Sequence, residues 1–172
     1  ENNGSYSFRS VDGAPNYELN DGKDQDLILD GQQRITSCYR AFYGSGEGGV
    51  KAGGRYYFKY GEYVSSRRKG ANLEGSTLED LFEFYSHAEI NKKLSSISSE
   101  IERGLLPLDI ILKETRGYNY AKWLSQYNFS EAKGASQKYE ELGNISSEFQ
   151  TVFIEKVTGY QVKYEKILRD TN

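Results

Sequence analysis

The feature that most constrains this chain is its aromatic load. Of 172 residues, 15 are Tyr, 8 are Phe and one is Trp. Rings of this size bury large areas and dominate core energetics. A chain so equipped does not have the composition of a disordered one, although only 37% of its residues are hydrophobic and 27% are charged. The length suits one ordinary domain. The net charge of −3 is far from that of a protein that coats DNA by charge alone. No apolar run approaches the roughly 20 residues of a membrane span. One Cys excludes an internal disulfide and a Cys-rich metal site. One His removes His-pair zinc sites and leaves little room for a Ser-His-Asp triad.

The sequence contains no Met and both ends are polar, so we expect an excised fragment: a single truncated domain over residues 1–172. A lone Cys suits a reducing cytoplasm. Early in the chain, Tyr6–Val11 alternates as a strand does, and Leu27-Ile28-Leu29 is a short apolar run suited to a buried strand. Ile35, Cys38, Tyr39 and Phe42 then recur at helical spacing. Residues 44–54 are glycine-rich and read as a mobile loop, Arg55–Tyr60 as a strand, and Arg67-Arg68-Lys69-Gly70 as a basic turn.

The remainder reads as mostly helical. Thr77 can cap a helix carrying Leu78, Leu81, Phe82 and Tyr85. Ile90, Leu94, Ile97 and Ile101 share one helical face that Gly104 ends, and Pro107 can open a short helix with Leu108, Ile111 and Leu112. Trp123, Leu124 and Tyr127 suggest another helix, Ser130–Leu142 a polar one closed by Gly143, and Asn144 the cap of a last one that Gly159 stops. Tyr160–Ile167 alternates again. The pattern is α+β: a small mixed sheet with helices, its core at about 1–60 and 145–172 and a helical insertion at about 77–143.

One segment carries chemistry: Leu27-Ile28-Leu29-Asp30-Gly31-Gln32-Gln33-Arg34-Ile35-Thr36. A buried strand ends in an Asp-Gly turn and runs straight into a helix. Free N–H groups at a helix start favour anions. Gly31 allows close approach, and Arg34 can fork onto phosphate oxygens. The same residues also make an ordinary helix start, since Asp30 with Gln33 three residues on is a capping box.

Residues 29–36 resemble the Asp-Gly-Gln-Gln-Arg motif at the N-terminal domain of GmrSD-type, modification-dependent restriction proteins, a family related to the ParB/sulfiredoxin-like fold. Tyr56-Tyr57-Phe58 after a glycine-rich loop, Leu106-Pro107-Leu108 before a Trp-bearing segment, and Tyr160-Gln161-Val162 after a helix are similar to the family more weakly. The resemblance implies a ParB/sulfiredoxin-like core and a nucleoside-triphosphate site with Mg²⁺. Asp30, Gln33 and Arg34 would be catalytic; Gly31, Gln32, Arg34 and Thr36 would bind the nucleotide. It implies a regulatory domain of a prokaryotic restriction or anti-phage defence protein, meeting DNA through a longer parent whose nuclease domain this segment lacks. The alternative is a non-enzymatic DNA-sensing or protein-interaction module of the same fold.

The other candidates have plainer readings. His87 reads as a boundary residue, Cys38 as a buried small hydrophobe on the apolar face of its helix. Arg67, Arg68 and Lys69 could touch a nucleic-acid backbone, or form a solvated loop. Asp24 and Asp26 have no metal-ligand spacing, and no metal site is expected from the protein's own ligands.

Overall fold

Tyr, Phe and Arg alternate in Gly54-Arg55-Tyr56-Tyr57-Phe58-Lys59, and these residues form β1 (Gly54–Lys59), the middle strand of a three-stranded sheet. In the computed structural model, residues 32–43, 53–71 and 79–159 are described. They form an α+β fold. The sheet is antiparallel: β2 (Phe82–Ser86) pairs with β1 from Gly54↔Ser86 to Phe58↔Phe82, and β3 (Leu105–Pro107) pairs from Tyr57↔Pro107 to Lys59↔Leu105. Around it lie α1 (Gln32–Tyr43), α2 (Tyr60–Arg68), α3 (His87–Lys93) and α4 (Ile97–Glu102). A 3₁₀ turn (Leu108–Ile110) follows β3. Then come α5 (Tyr120–Ala132), α6 (Ser136–Phe149), a π turn (Gln150–Ile154) and α7 (Glu155–Thr158).

Strand alternation sends the aromatics to opposite faces. Phe58 faces the larger core, its ring 5.0 Å from Phe149 and 5.3 Å from Phe153. Tyr60, at the start of α2, extends that core edge-on against Trp123 (5.8 Å) and Tyr127 (5.1 Å). Tyr57 points the other way, into a smaller cluster with Leu94 and Leu105. Burying each such side chain contributes about 1.5–3 kcal/mol. Gly104 joins α4 to β3 at φ +63°, and a Cβ there would stand 2.7 Å from the Gly61 Cα. Only glycine allows this approach.

Several sequence expectations are corrected. Phe82 and Tyr85 belong to β2, not to a helix. Leu78, Leu81, Phe82 and Tyr85 mimic a helical face, but Phe82-Glu83-Phe84-Tyr85-Ser86 also has strand composition, and pairing with β1 decides between them. Ile90–Ile101 is two helices. Ser86 and Ser96 each form a capping box, with Glu89 and Ser99, so the second helix has its own start. Pro107 ends β3 and precedes the 3₁₀ turn instead of opening an α-helix. The polar helix expected over Ser130–Leu142 is broken at Lys133 and Gly134, both at positive φ, while Gly143 and Asn144 lie inside α6. The stretch 77–143 is not wholly helical, since it supplies β2 and β3. The expected strands at 6–11, 27–30 and 160–167 lie outside the described residues, as does the glycine-rich loop except for Gly53 and Gly54. Among the described residues, no helix is long and apolar enough to cross a membrane.

Candidate functional site

The helix after the Asp-Gly turn begins at Gln32. Its backbone places Gln33 and Arg34 in the first turn and Thr36 in the second; Asp30 and Gly31 lie outside the described residues. The first N–H groups of an α-helix have no partner within it. α1 packs on the 3₁₀ turn and on β1, with Ala41 and Phe42 against the larger core. Lys113 Nζ sits 5.6 Å from the centre of the Tyr43 ring. Cys38 is exposed, not buried as its spacing suggests. Ala41 and Phe42 are both in the last turn, so the helical face carrying Cys38 leaves the core one turn earlier.

Arg67 and Arg68 occupy the last turn of α2, where the sequence suggests a loop, and both are paired. Arg67 Nη2 is 2.6 Å from Glu148 Oε1, and Arg68 donates through Nε (3.2 Å) and Nη2 (3.3 Å) to the Glu141 carboxylate. These pairs join α2 to α6. Lys69 follows, exposed, as the helix cap. His87 is exposed at the first position of α3, the boundary place its sequence context suggests.

Sequence reasoning missed a buried ionic cluster on the Tyr57 side of the sheet. Arg55 and Tyr57 lie two residues apart in β1, hence on one face. Both reach Glu100 of α4, which is fully buried: Arg55 Nη1 at 3.1 Å and the Tyr57 hydroxyl at 3.0 Å donate to Oε1. Arg116 Nη2 donates to both Glu100 oxygens, at 3.3 and 3.2 Å. Arg55 Nη2 lies 3.2 Å from Asp109 Oδ2 in the 3₁₀ turn. That contact is an ion pair without hydrogen-bond alignment, since neither Asp109 oxygen accepts a hydrogen bond among the described residues.

Burial pushes the Glu100 carboxyl above its ordinary value, against the pull of Arg116, Arg55 and the Tyr57 hydroxyl. For Arg55, burial acts to lower the guanidinium, but Asp109, Tyr57 and Glu100 prevail and raise it. Burial and the Glu100 charge raise Tyr57 far above the usual phenol value, so its hydroxyl remains a donor.

Arg116 is delivered by a tight turn. Thr115 and Tyr118 exchange backbone hydrogen bonds at 2.8 and 3.0 Å, and the residues between them, Arg116 and Gly117, have φ of 57° and 72°. Two positive φ values make this the type I′ pattern, whose first position favours Asn or Gly. Beside the cluster lies a cavity of ≈ 220 Å³ between α3, the start of β1 and this turn. Arg55 and Arg116 line it with Gly54, His87, Asn91 and Ser95, flanked by Ile90 and Leu94; Glu100 and Asp109 do not line it. Among the described residues, no group of three His, Cys, Asp or Glu side chains could hold a metal ion.

The sequence does hold traces of the cluster. Asp109 interrupts the apolar run Leu105–Leu112, and Arg55 alternates in phase with Tyr57. Comparison with protein-family models, with curated proteins and with solved structures finds no match in any of the three.

Proposed function

We propose that the chain is a nucleotide-binding, NTP-hydrolysing regulatory domain of a prokaryotic restriction or anti-phage defence protein, built on a ParB/sulfiredoxin-like core and acting in the cytoplasm. The observation that carries the reading is the start of α1 at Gln32, directly after Asp30-Gly31. The first N–H groups of a helix that begins there have no partner within it and favour an anion, and Asp30 and Gly31 immediately precede it in sequence. In this reading Gln32, Thr36 and the Gly31 backbone hold the phosphates, and Arg34 neutralises charge that develops on them. Gln33 orients the attacking water. Asp30 would act with Gln33 and Arg34 in catalysis, and Mg²⁺ would arrive with the nucleotide, held by its phosphates. DNA would be met through the longer parent.

The test is calorimetric titration with a nucleoside triphosphate and Mg²⁺. Charge-assisted contacts are worth ~1.5–3 kcal/mol, so Arg34→Ala should weaken binding by roughly one to two decades while leaving the melting curve unchanged. Equal affinity in the two proteins would refute the role of Arg34.

The second reading, a non-enzymatic DNA-sensing or protein-interaction module, draws on Phe129, 74% exposed, and Tyr139, 45% exposed, which border one surface cleft. It forecasts no nucleotide binding by wild type.

A further inference from the structure

The cavity beside the ionic cluster has a cationic lining, and it shares no residue with the motif at the start of α1. We propose that it binds a phosphate-class oxyanion, either free inorganic phosphate or the terminal phosphoryl group of a larger ligand. Charge placement is the first argument. The quartet Arg55, Arg116, Glu100 and Asp109 is balanced in formal charge, but both arginines line the cavity and neither acid does. An anion in the cavity meets the positive ends first.

The second argument is preorganisation. The Arg55 side chain is only 10% exposed and is held in place by Glu100 and Asp109. Arg116 commits Nη2 to Glu100, and no described residue takes its remaining donors. A guanidinium carries five N–H donors in a rigid fork. Donors already fixed lose little freedom when a ligand arrives. The type I′ turn adds to this. Its chemistry favours Asn where Arg116 stands, and a long L side chain is disfavoured at φ 57°. What Arg supplies there, and Asn could not, is a cation reaching both Glu100 and the cavity wall.

Size and donor geometry select the ligand. At ≈ 220 Å³ the cavity lies below the ~300–1,000 Å³ of sites for drug-sized ligands, a size suited to a phosphoryl group. Asn91 and Ser95 add neutral polar groups from the α3 side, and Gly54 brings no side chain into the space. A Cβ at Gly54 would fall on the Tyr85 carbonyl oxygen. Two arginines with Asn91 and Ser95 offer more donors than the two oxygens of a carboxylate can use, which suits the three or four oxygens of a tetrahedral oxyanion.

The experiment is calorimetric titration of the full chain with inorganic phosphate at low ionic strength. Two variants test the lining. Asn91→Asp places a carboxylate in it from an exposed helix position, and Arg116→Asn removes a cation while suiting the turn. Each should weaken phosphate binding by about tenfold or more with the melting curve retained, and Arg34→Ala should not change it. Competition by a nucleoside triphosphate in the Arg34→Ala protein assigns the source. Displacement of phosphate identifies a terminal phosphoryl group as an occupant, and no displacement identifies the free anion. Absence of phosphate binding by wild type up to about 10 mM would overturn the proposal. So would equal affinity in folded Asn91→Asp and wild type. Loss of binding in Arg34→Ala alone would also overturn it, by locating the phosphate at α1.

Discussion

Replacing Arg55 by Met tests whether the buried charges form an energetic unit. The side chains of Arg55, Glu100 and Asp109 are 10%, 0% and 1% exposed. Without Arg55, Glu100 keeps Arg116 and the Tyr57 hydroxyl, but Asp109 loses its ion pair and remains buried with no hydrogen bond among the described residues. Removing one partner of a buried pair costs ~3–5 kcal/mol, a large part of the ~5–15 kcal/mol that holds a domain folded. At about 2–4 °C per kcal/mol for a chain of this size, Tm should fall by roughly 6–20 °C. Urea melts followed by the fluorescence of Trp123, fully buried and stacked on Tyr127 at 5.4 Å, read the loss directly. Adding Asp109→Leu to Arg55→Met should recover much of it, because both charges then leave together. Arg116→Asn should differ. Its side chain is 37% exposed, Glu100 keeps Arg55 and the Tyr57 hydroxyl, and relief of the left-handed backbone returns about 1–2 kcal/mol, so the loss should be well below that of Arg55→Met. The reasoning fails if Arg55→Met stays within about 1 kcal/mol of wild type, or if Arg116→Asn is equally damaging.

Two further outcomes follow from the packing. Gly104→Ala places a Cβ 2.7 Å from the Gly61 Cα at φ +63°; it should cost at least about 1–2 kcal/mol, and an unchanged urea midpoint would contradict the close approach. In alkali, burial pushes Tyr127 up to about 12, with Glu131 adding and Arg68 opposing, and burial likewise raises Tyr57, Tyr60 and Tyr63. Folding favours the neutral phenols, so this stability is complete below the ordinary value of 10.0 and is lost as pH rises through about 12. Phenolate absorbance and Trp123 fluorescence should therefore change together above that ordinary value, and Tyr127→Phe should shift the transition upward; full tyrosine titration at the ordinary value with the fold intact would contradict this.

Local signals explain what the sequence makes legible in the fold. β1 and α5 are readable because their apolar spacing, in Arg55–Lys59 and across Trp123–Tyr127, agrees with their final partners, and α1 because its spacing is helical, although Cys38 on that face is exposed. Phe82–Ser86 misleads because four apolar residues at helical spacing overlap a five-residue strand, and only the ladder with β1, formed by residues distant in sequence, breaks the tie. Gly143 misleads for the opposite reason. A glycine inside an otherwise good helix costs only ~1 kcal/mol, so it need not stop one, and the stop falls instead at Lys133-Gly134, where the backbone turns left-handed.

The two candidate sites differ in legibility for a related reason. The Asp30–Arg34 motif is contiguous, so its chemistry can be read along the chain. The ionic cluster draws one residue each from α4, the 3₁₀ turn and the Arg116 turn onto two residues of β1. No spacing rule connects residues 55, 57, 100, 109 and 116. Desolvation nonetheless leaves a trace. A charge inside an apolar run must be buried with the run, and a buried charge must find a partner of opposite sign. Asp109, between Leu108 and Ile110, therefore requires a buried cation, and Arg55 meets the requirement because it sits on the inward phase of a strand whose Tyr57 is wholly buried. Glu100 then takes up the donors that Arg55 and Tyr57 direct to the same face. Arg116, the most exposed member, is the one that alternation does not place. Two buried carboxylates facing Arg55 alone call for a second cation, and Arg116 meets that need at Glu100 from a disfavoured backbone conformation.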